Sequence, residues 1–515
     1  MTTKKATTGP SSEDKFLFAA CFMALIATAF AFILRTLIIN ELGTEFNLSE
    51  TQKGEILGVG LWPFAISIVL FSLVIDKLGY GRVMAFAFVC HMLAGIMTIT
   101  AKGYGMLYAA TFIMTLGNGA VEAVINPVVA TMFTKDKTAW LNRLHAGWPG
   151  GMVVGGLIVL ILLPEASWQL KVGLVFIPTI AYGVMMIGRK FPVHERVEAG
   201  VSYNSMLKEV GIVGAFIIVA LMTFQLGQTF NFAQYGALEF GNIPYLNIGI
   251  IVVVTAVFGF YVRSLGRPLF IFLLLVMIPL ATTELGTDSW ITPLMEGEMN
   301  KLGMQAGWLL VYTSLVMMLL RFFAGPIVHA LSPLGLLTAS AAIAAVGLTM
   351  LSISAGMGIL LAATLYGFGK AFFWPTMLGV VAERFPKGGA MTLNTIAGVG
   401  MLSVGIVGSV FLGYVQDTSI ASALDEKNPE LHSKYVGTER NSVFGKYTPL
   451  DQEKVSAATG EEKDTLATIT NDAKKGALRT VAVLPVIMLV CYIGLLVYFK
   501  SIGGYKVLSV DDKAA

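Results

Sequence analysis

The chain has 515 residues, 56% of them apolar and only 13% charged, where a soluble domain carries about a quarter charged. A mean hydropathy of +0.75 leaves too little polar surface to face water, which excludes an ordinary soluble enzyme, a disordered scaffold and a nucleic-acid binder. The 35 Lys and Arg against 32 Asp and Glu give a net charge of +3 and no basic face.

A polar tail, 1–15, precedes an apolar run over 16–39 that is too long for a signal peptide and lacks a small-residue cleavage site. It reads as a retained first span. Further runs lie near 56–75, 83–101, 106–133, 141–163 and 169–188, completing an N-terminal six-helix bundle within 16–191. Each is near the roughly 20 residues that cross a bilayer. The segment 192–266 is a linker holding two extra spans, near 211–229 and 247–262, with no ionisable residue except at their ends. They are expected to sit outside the twelve-helix core and to be dispensable for binding. Six more runs, near 268–292, 306–328, 333–353, 356–381, 390–415 and 479–499, form a C-terminal bundle within 267–500, followed by a tail, 501–515. The expectation is an all-α polytopic membrane protein of about fourteen spans. Cys21, Cys90 and Cys491 all lie inside apolar runs, so no disulfide framework is readable.

Loop charge sets the expected orientation. Lys77, Arg82, Lys135, Lys137, Arg143, Arg189 and Lys190, with others through Lys387, fall on the side that carries both ends of the chain. The opposite short loops hold only Lys53, Lys102, Lys171 and Lys301. Both termini are therefore expected in the cytoplasm, in an inner or plasma membrane. The polar stretch 416–478 falls outside, as disorder or a passive cap.

The two six-span halves repeat. Gln52 to Leu57 matches Gln305 to Leu310 at an offset of 253, which sets Arg35 opposite Asp288 and Asp76 opposite His329. Gly117 to Pro127 matches Leu365 to Pro375 at an offset of 248, so Glu122 faces Lys370; Leu141-Asn142 then matches Leu393-Asn394. Near-constant spacing across several spans points to a duplicated six-helix unit.

A charge at the bilayer centre costs about 2.5–3.5 kcal/mol on insertion scales, so Arg35, Glu122, Asp288 and Lys370 need partners or a watered cavity. Opposite charges are expected to pair, either as static clamps or as pairs that open when a proton exchanges. Thr115, Asn118, Glu122 and Asn126 recur every three or four residues and share one helical face. Their counterparts are Tyr366, Lys370 and Trp374; Asn142 and His145 share a face on the fifth span, with Asn394 repeating Asn142. Glu284 and Asp288, four apart, share a face on the ninth span, with Thr292 a further four along. Breaks at Pro63, Pro127, Pro149 and Pro375 permit helices to bend. With no phosphate-binding glycine loop, metal cluster or nucleophile triad, no enzyme activity, cofactor or metal is expected.

Two pseudo-equivalent bundles are the architecture of the major facilitator superfamily, and Asp76-Lys77-Leu78-Gly79-Tyr80-Gly81-Arg82 resembles its loop after the second span. Ser72 stands where the first Gly is usual, and the basic residue comes one place late. The resemblance implies that Asp76, Lys77, Gly79 and Arg82 form a cytoplasmic latch. More narrowly, Glu122-Ala-Val-Ile-Asn126-Pro127 followed by Leu141-Asn142 resembles the fucose:proton symporter group, with His145 in place of that group's Gln. Arg35 replaces its first-span Asp, so its coupling scheme does not carry over whole. The resemblance implies a monomeric secondary transporter with alternating access, proton-coupled through Glu122 and moving a small polar solute, a sugar first. The alternatives are an organic-anion carrier of the same fold and a non-transporting membrane nutrient sensor. In that superfamily the first and fourth spans of each half line the cavity, which implies Arg35 with Glu122 and Asp288 with Lys370; the expected cavity residues are Arg35, Asn118, Asn126, Asn142, His145, Glu284, Asp288, Lys370, Trp374 and Asn394.

Overall fold

The computed structural model describes residues 11–238, 243–305, 307–442 and 444–512. The first ten residues of the N-terminal tail and the Thr292 side chain lie outside the described residues. Helices dominate because a backbone in lipid has only its own chain to satisfy its polar groups.

The first span, Ser12–Glu45, starts on a capping box in which the Ser11 hydroxyl accepts from the Asp14 N–H and the Asp14 carboxylate accepts from the Ser11 N–H. Gln52–Leu78, Tyr80–Ile99, Tyr104–Met132, Lys137–Leu162 and Trp168–Met186 complete the first bundle. The extra pair is Tyr203–Thr229 and Tyr245–Val262. The second bundle holds Pro268–Ser289, the bent pair Gly307–Phe322 and Ala324–Leu331, Pro333–Ile353, the broken pair Gly358–Lys370 and Phe373–Arg384, Pro386–Lys427, and Gly460–Ser501. Twelve of these are long and apolar enough to cross a membrane unbroken, and the bent pair, turning by 68°, makes a thirteenth. The broken pair fills the fourteenth place, its halves meeting at Ala371 and Phe372. The fold is that of two six-helix bundles plus two extra helices, in an integral membrane protein. Contacts place both described ends on one side: Arg189 lies 4.2 Å from the Phe16 ring centroid, Lys137 meets both Glu195 and Ala382 O, and Tyr505 donates to Glu383.

Of the two forms expected for 416–478, the described residues take the cap: the thirteenth span runs on to Lys427, the fourteenth helix begins at Gly460, and Pro429–Tyr435 and a short hairpin, Arg440–Ser442 with Gly445–Tyr447, lie between them. Ile420, Leu424, Leu431, Tyr435, Leu466 and Ile469 give this cap a hydrophobic core of its own. One expectation needs correction: the extra pair is not wholly peripheral. The eighth span packs mainly on the seventh, whereas the seventh packs along the thirteenth.

Prolines set where polar side chains attach. A proline inside a helix frees the carbonyl four residues before it, because it has no N–H and its ring crowds that oxygen. Pro63 stands in the first turn of Trp62–Leu78, and Val59 O, left free where the preceding helix ends, accepts from Thr115 Oγ1 at 3.0 Å. Pro127 frees Ala123 O, which accepts from Asn394 Nδ2 at 3.0 Å across the two halves. Pro149 and Pro375 free His145 O and Ala371 O, and one residue, Arg321, donates to both, at 2.9 and 2.5 Å.

Candidate functional site

A cavity of about 740 Å³ lies between the halves. It is lined by Arg35, Thr36, Glu55, Tyr104, Gln228 and Thr229 among others, residues at helix ends remote from the chain termini, so it opens on that side. Inward it narrows to an enclosed pocket walled by Phe32, Phe64, Asn118, Trp148 and Asp288, and Arg35 lines both spaces.

The charge pairing differs from the sequence expectation in one half. Lys370 does pair with Asp288, and its ammonium also lies 3.3 Å from Thr313 Oγ1. Arg35 does not pair with Glu122. Among the described residues the Arg35 guanidinium has no hydrogen-bond or ion-pair partner, and its Nε is buried without one. It lies 6.0 Å from the Phe32 ring centroid. It is pressed against Gly60, where a Cβ would fall 2.2 Å from Arg35 Nη2. The reason is position: Glu122 is turned to a different partner set.

Glu122 Oε2 accepts from Asn126 Nδ2 at 2.5 Å, and Asn126 Oδ1 lies 2.9 Å from His145 Nε2. An amide oxygen only accepts, so His145 carries its proton on Nε2. The His145 carbonyl holds Arg321, whose Nη2 sits 2.6 Å from Glu284 Oε1; Glu284 Oε2 accepts from the Trp374 N–H at 3.0 Å. A buried polar chain thus runs from Glu122 in one half to the break in the twelfth span in the other. Arg321, 1% exposed, is its centre. Sequence reasoning missed it, although a lone Arg in the apolar run from Gly307 to Phe323 was a legible signal. Removing one partner of a buried pair strands the other, at a cost of about 3–5 kcal/mol. Arg321→Met is therefore expected to lower thermal stability sharply, and adding Glu284→Gln to recover most of it, as read by unfolding of the purified protein.

The remaining selected residues divide. Asn118 lines the inner pocket with its Oδ1 unpartnered. Asn142 and Asn394 do not face the cavity: Asn142 Nδ2 reaches Thr376 Oγ1 at 3.1 Å, so each asparagine bridges to the opposite half. Trp374 packs its indole against Gly400 and does not line the cavity; the aromatic wall comes from Phe32, Phe64 and Trp148.

The side carrying the termini is shut. Lys137 Nζ donates to Ala382 O at 3.2 Å and pairs with Glu195; Thr138 donates to Glu383, which also accepts from Tyr505 at 2.8 Å. Asp76 pairs with Arg196 of the linker, not with Arg82, whose Nη1 reaches Leu78 O at 3.4 Å. Lys77 lies 5.8 Å from the Tyr203 ring centroid, and Gly79 turns the chain at φ +80°. The latch loop therefore fastens to the linker, because Arg196 is the nearer buried cation. Burial, with Lys137 and Arg196 nearby, drives His194 down to about 3 and keeps this seam's histidine neutral. The closure is tight: a Cβ on Gly379 would stand 2.2 Å from Thr138 Oγ1. Gly379→Val is expected to force this side open, raising the reactivity of a cysteine placed at Thr138 towards a water-soluble maleimide.

A family model described as Major Facilitator Superfamily matches residues 17–285. The chain is 26% identical over 166 residues to the cis,cis-muconate transport protein of Acinetobacter baylyi, a match covering 32% of this chain and 40% of that relative's length. Its fold is similar to that of the human organic anion transporter MFSD10, with a TM-score of 0.59 at 11% identity, covering 93% of this chain and 99% of that one. It is also similar to the Escherichia coli fucose:proton symporter, with a TM-score of 0.56 at 13% identity, covering 94% and 99%.

Proposed function

The chain belongs to the major facilitator superfamily, and from that premise we propose that it is a proton-coupled secondary transporter of a small organic carboxylate. The observation that carries this reading is Arg35, a cation without a partner on the cavity wall, whereas Lys370 lies off that wall and is neutralised by Asp288. A carboxylate completes that site, since a guanidinium binds its two oxygens bidentately. Phe32, Phe64 and Trp148 suit an apolar or unsaturated body. The matched relative's name, a muconate carrier, agrees with this chemistry.

In this reading, 16–191 and 267–500 are the rocking units, 192–266 joins them, and both termini face the cytoplasm. The cavity then faces outward. Solute binding at Arg35 and protonation of Glu122 together release the bridges made by Arg321, Asn142 and Asn394, and the closed side opens. A neutral sugar is the second reading, favoured by the Glu122-to-Pro127 motif. It ranks lower because Asn126 spends its amide on Glu122 and His145.

Proteoliposomes with an imposed proton gradient test both. Accumulation of radiolabelled carboxylate that collapses on adding a protonophore is expected. Accumulation of sugars alone would replace the substrate assignment, and solute binding without any uptake would favour a sensor.

A further inference from the structure

The seventh span has no counterpart in either repeated half, yet it carries Gln225, Gln228 and Thr229 at steps of three and four, on one face. All three line the same cavity as Arg35. Gln225 Nε2 donates to Thr229 Oγ1 at 3.3 Å. Its Oε1 lies over Gly405, 3.3 Å from where a Cβ would stand. Gly405 belongs to the π-turn Val404–Gly408 of the thirteenth span and also lines the cavity. A π-turn displaces the helix locally and exposes backbone to a site. Gln228 is exposed, and the back of this turn, at Gly227, is sealed against the buried Asn247 of the eighth span.

Polar groups on a membrane helix must face protein or water. Here they face the solute's route, and the eighth span holds them there. Among the described residues, the only carboxylate on this cavity wall is Glu55, which accepts from the Tyr104 hydroxyl. Glu55 apart, the recognition chemistry is thus the Arg35 guanidinium and the Asn118 amide oxygen at the floor, with neutral groups towards the mouth: the amides of Gln225 and Gln228 and the Tyr108 hydroxyl.

We propose that Gln225 and Gln228 form a second subsite, which selects carboxylates bearing a further hydrogen-bonding group over those ending in a bare apolar chain. The inference rests on the carboxylate reading for the chemistry of the solute, but the placement of the subsite does not depend on it. The extra helix pair is then part of the recognition site and not an appendage.

Hexanoate and hexanedioate have the same length and differ in the second polar end, so their affinities for the full-length protein in nanodiscs, measured by thermal shift, test the subsite. Hexanedioate is expected to bind more tightly, and Gln225→Leu with Gln228→Leu to erase roughly a tenfold preference, as lost hydrogen bonds of this kind do. Arg35→Gln should weaken both ligands alike. A second measurement covers loss of folding: Gln228→Cys in a Cys491→Ser background, labelled by an impermeant maleimide with and without solute. Protection by hexanedioate is expected. If a sugar alone protects, the subsite stands and the carboxylate reading falls. If any solute that stabilises the protein leaves the introduced thiol reacting at its unprotected rate, or if the leucine variants keep the full preference, the seventh span has no part in recognition.

Discussion

Arg35→Gln is expected to weaken carboxylate binding by about two orders of magnitude while leaving the protein folded. Losing one partner of a desolvated, hydrogen-bonded charge pair costs roughly 2–5 kcal/mol, and every 1.4 kcal/mol is tenfold in affinity. The fold should tolerate the change because Arg35 makes no ion pair with the protein, so no buried carboxylate is stranded. Arg35 and Arg321 therefore give opposite signatures: one substitution removes binding at constant stability, the other removes stability first. Thermal unfolding with and without ligand separates them, since a ligand of the native state raises apparent stability by mass action. Unchanged carboxylate affinity in a folded Arg35→Gln protein would reject Arg35 as the anion site.

Glu122→Gln is expected to keep binding and counterflow exchange but to abolish uphill uptake driven by a pH gradient. Glutamine has nearly the same size and stays neutral at every pH, so it imitates the protonated carboxyl and cannot release a proton. The neighbouring Asn126 amide responds to that difference: it donates to a carboxylate, at 2.5 Å here, more strongly than to a neutral group. Asn126 in turn holds His145, and the His145 carbonyl holds Arg321. A proton on Glu122 is thereby expected to act on a bridge between the halves without touching the solute. Persistence of gradient-driven accumulation at the wild-type rate in Glu122→Gln would shift coupling to Glu284 or Asp288.

Residues in contact along one chain couple energetically and are not additive. The Glu122 and Arg321 substitutions should therefore be compared in a double-mutant cycle, whereas Arg35 lies outside that chain.

Much of this molecule was legible before any coordinates. The six-two-six order of spans and the inverted charges of the repeat follow from local runs and their spacing, and the pair Lys370 with Asp288 from these together with the resemblance to the superfamily. A run of about 20 apolar residues must enter the bilayer whatever its neighbours do. A buried charge must likewise find company, because its transfer cost belongs to the residue itself.

The choice of company was not legible. Arg35 and Glu122 are as well placed in the repeat as Asp288 and Lys370, yet only the latter meet, because pairing depends on how helix faces are rotated against one another. Glu284 instead takes Arg321, 37 residues on, and Arg321 also binds two carbonyls freed by Pro149 and Pro375. The prolines announced bends; only packing decided which donor would answer each freed oxygen. The seventh span likewise read as free of ionisable residues and peripheral, and its glutamines became a cavity wall once the thirteenth span lay against it. Burial is specified one residue at a time, whereas a site is made where faces from distant parts of the chain converge, and tertiary packing alone fixes that convergence.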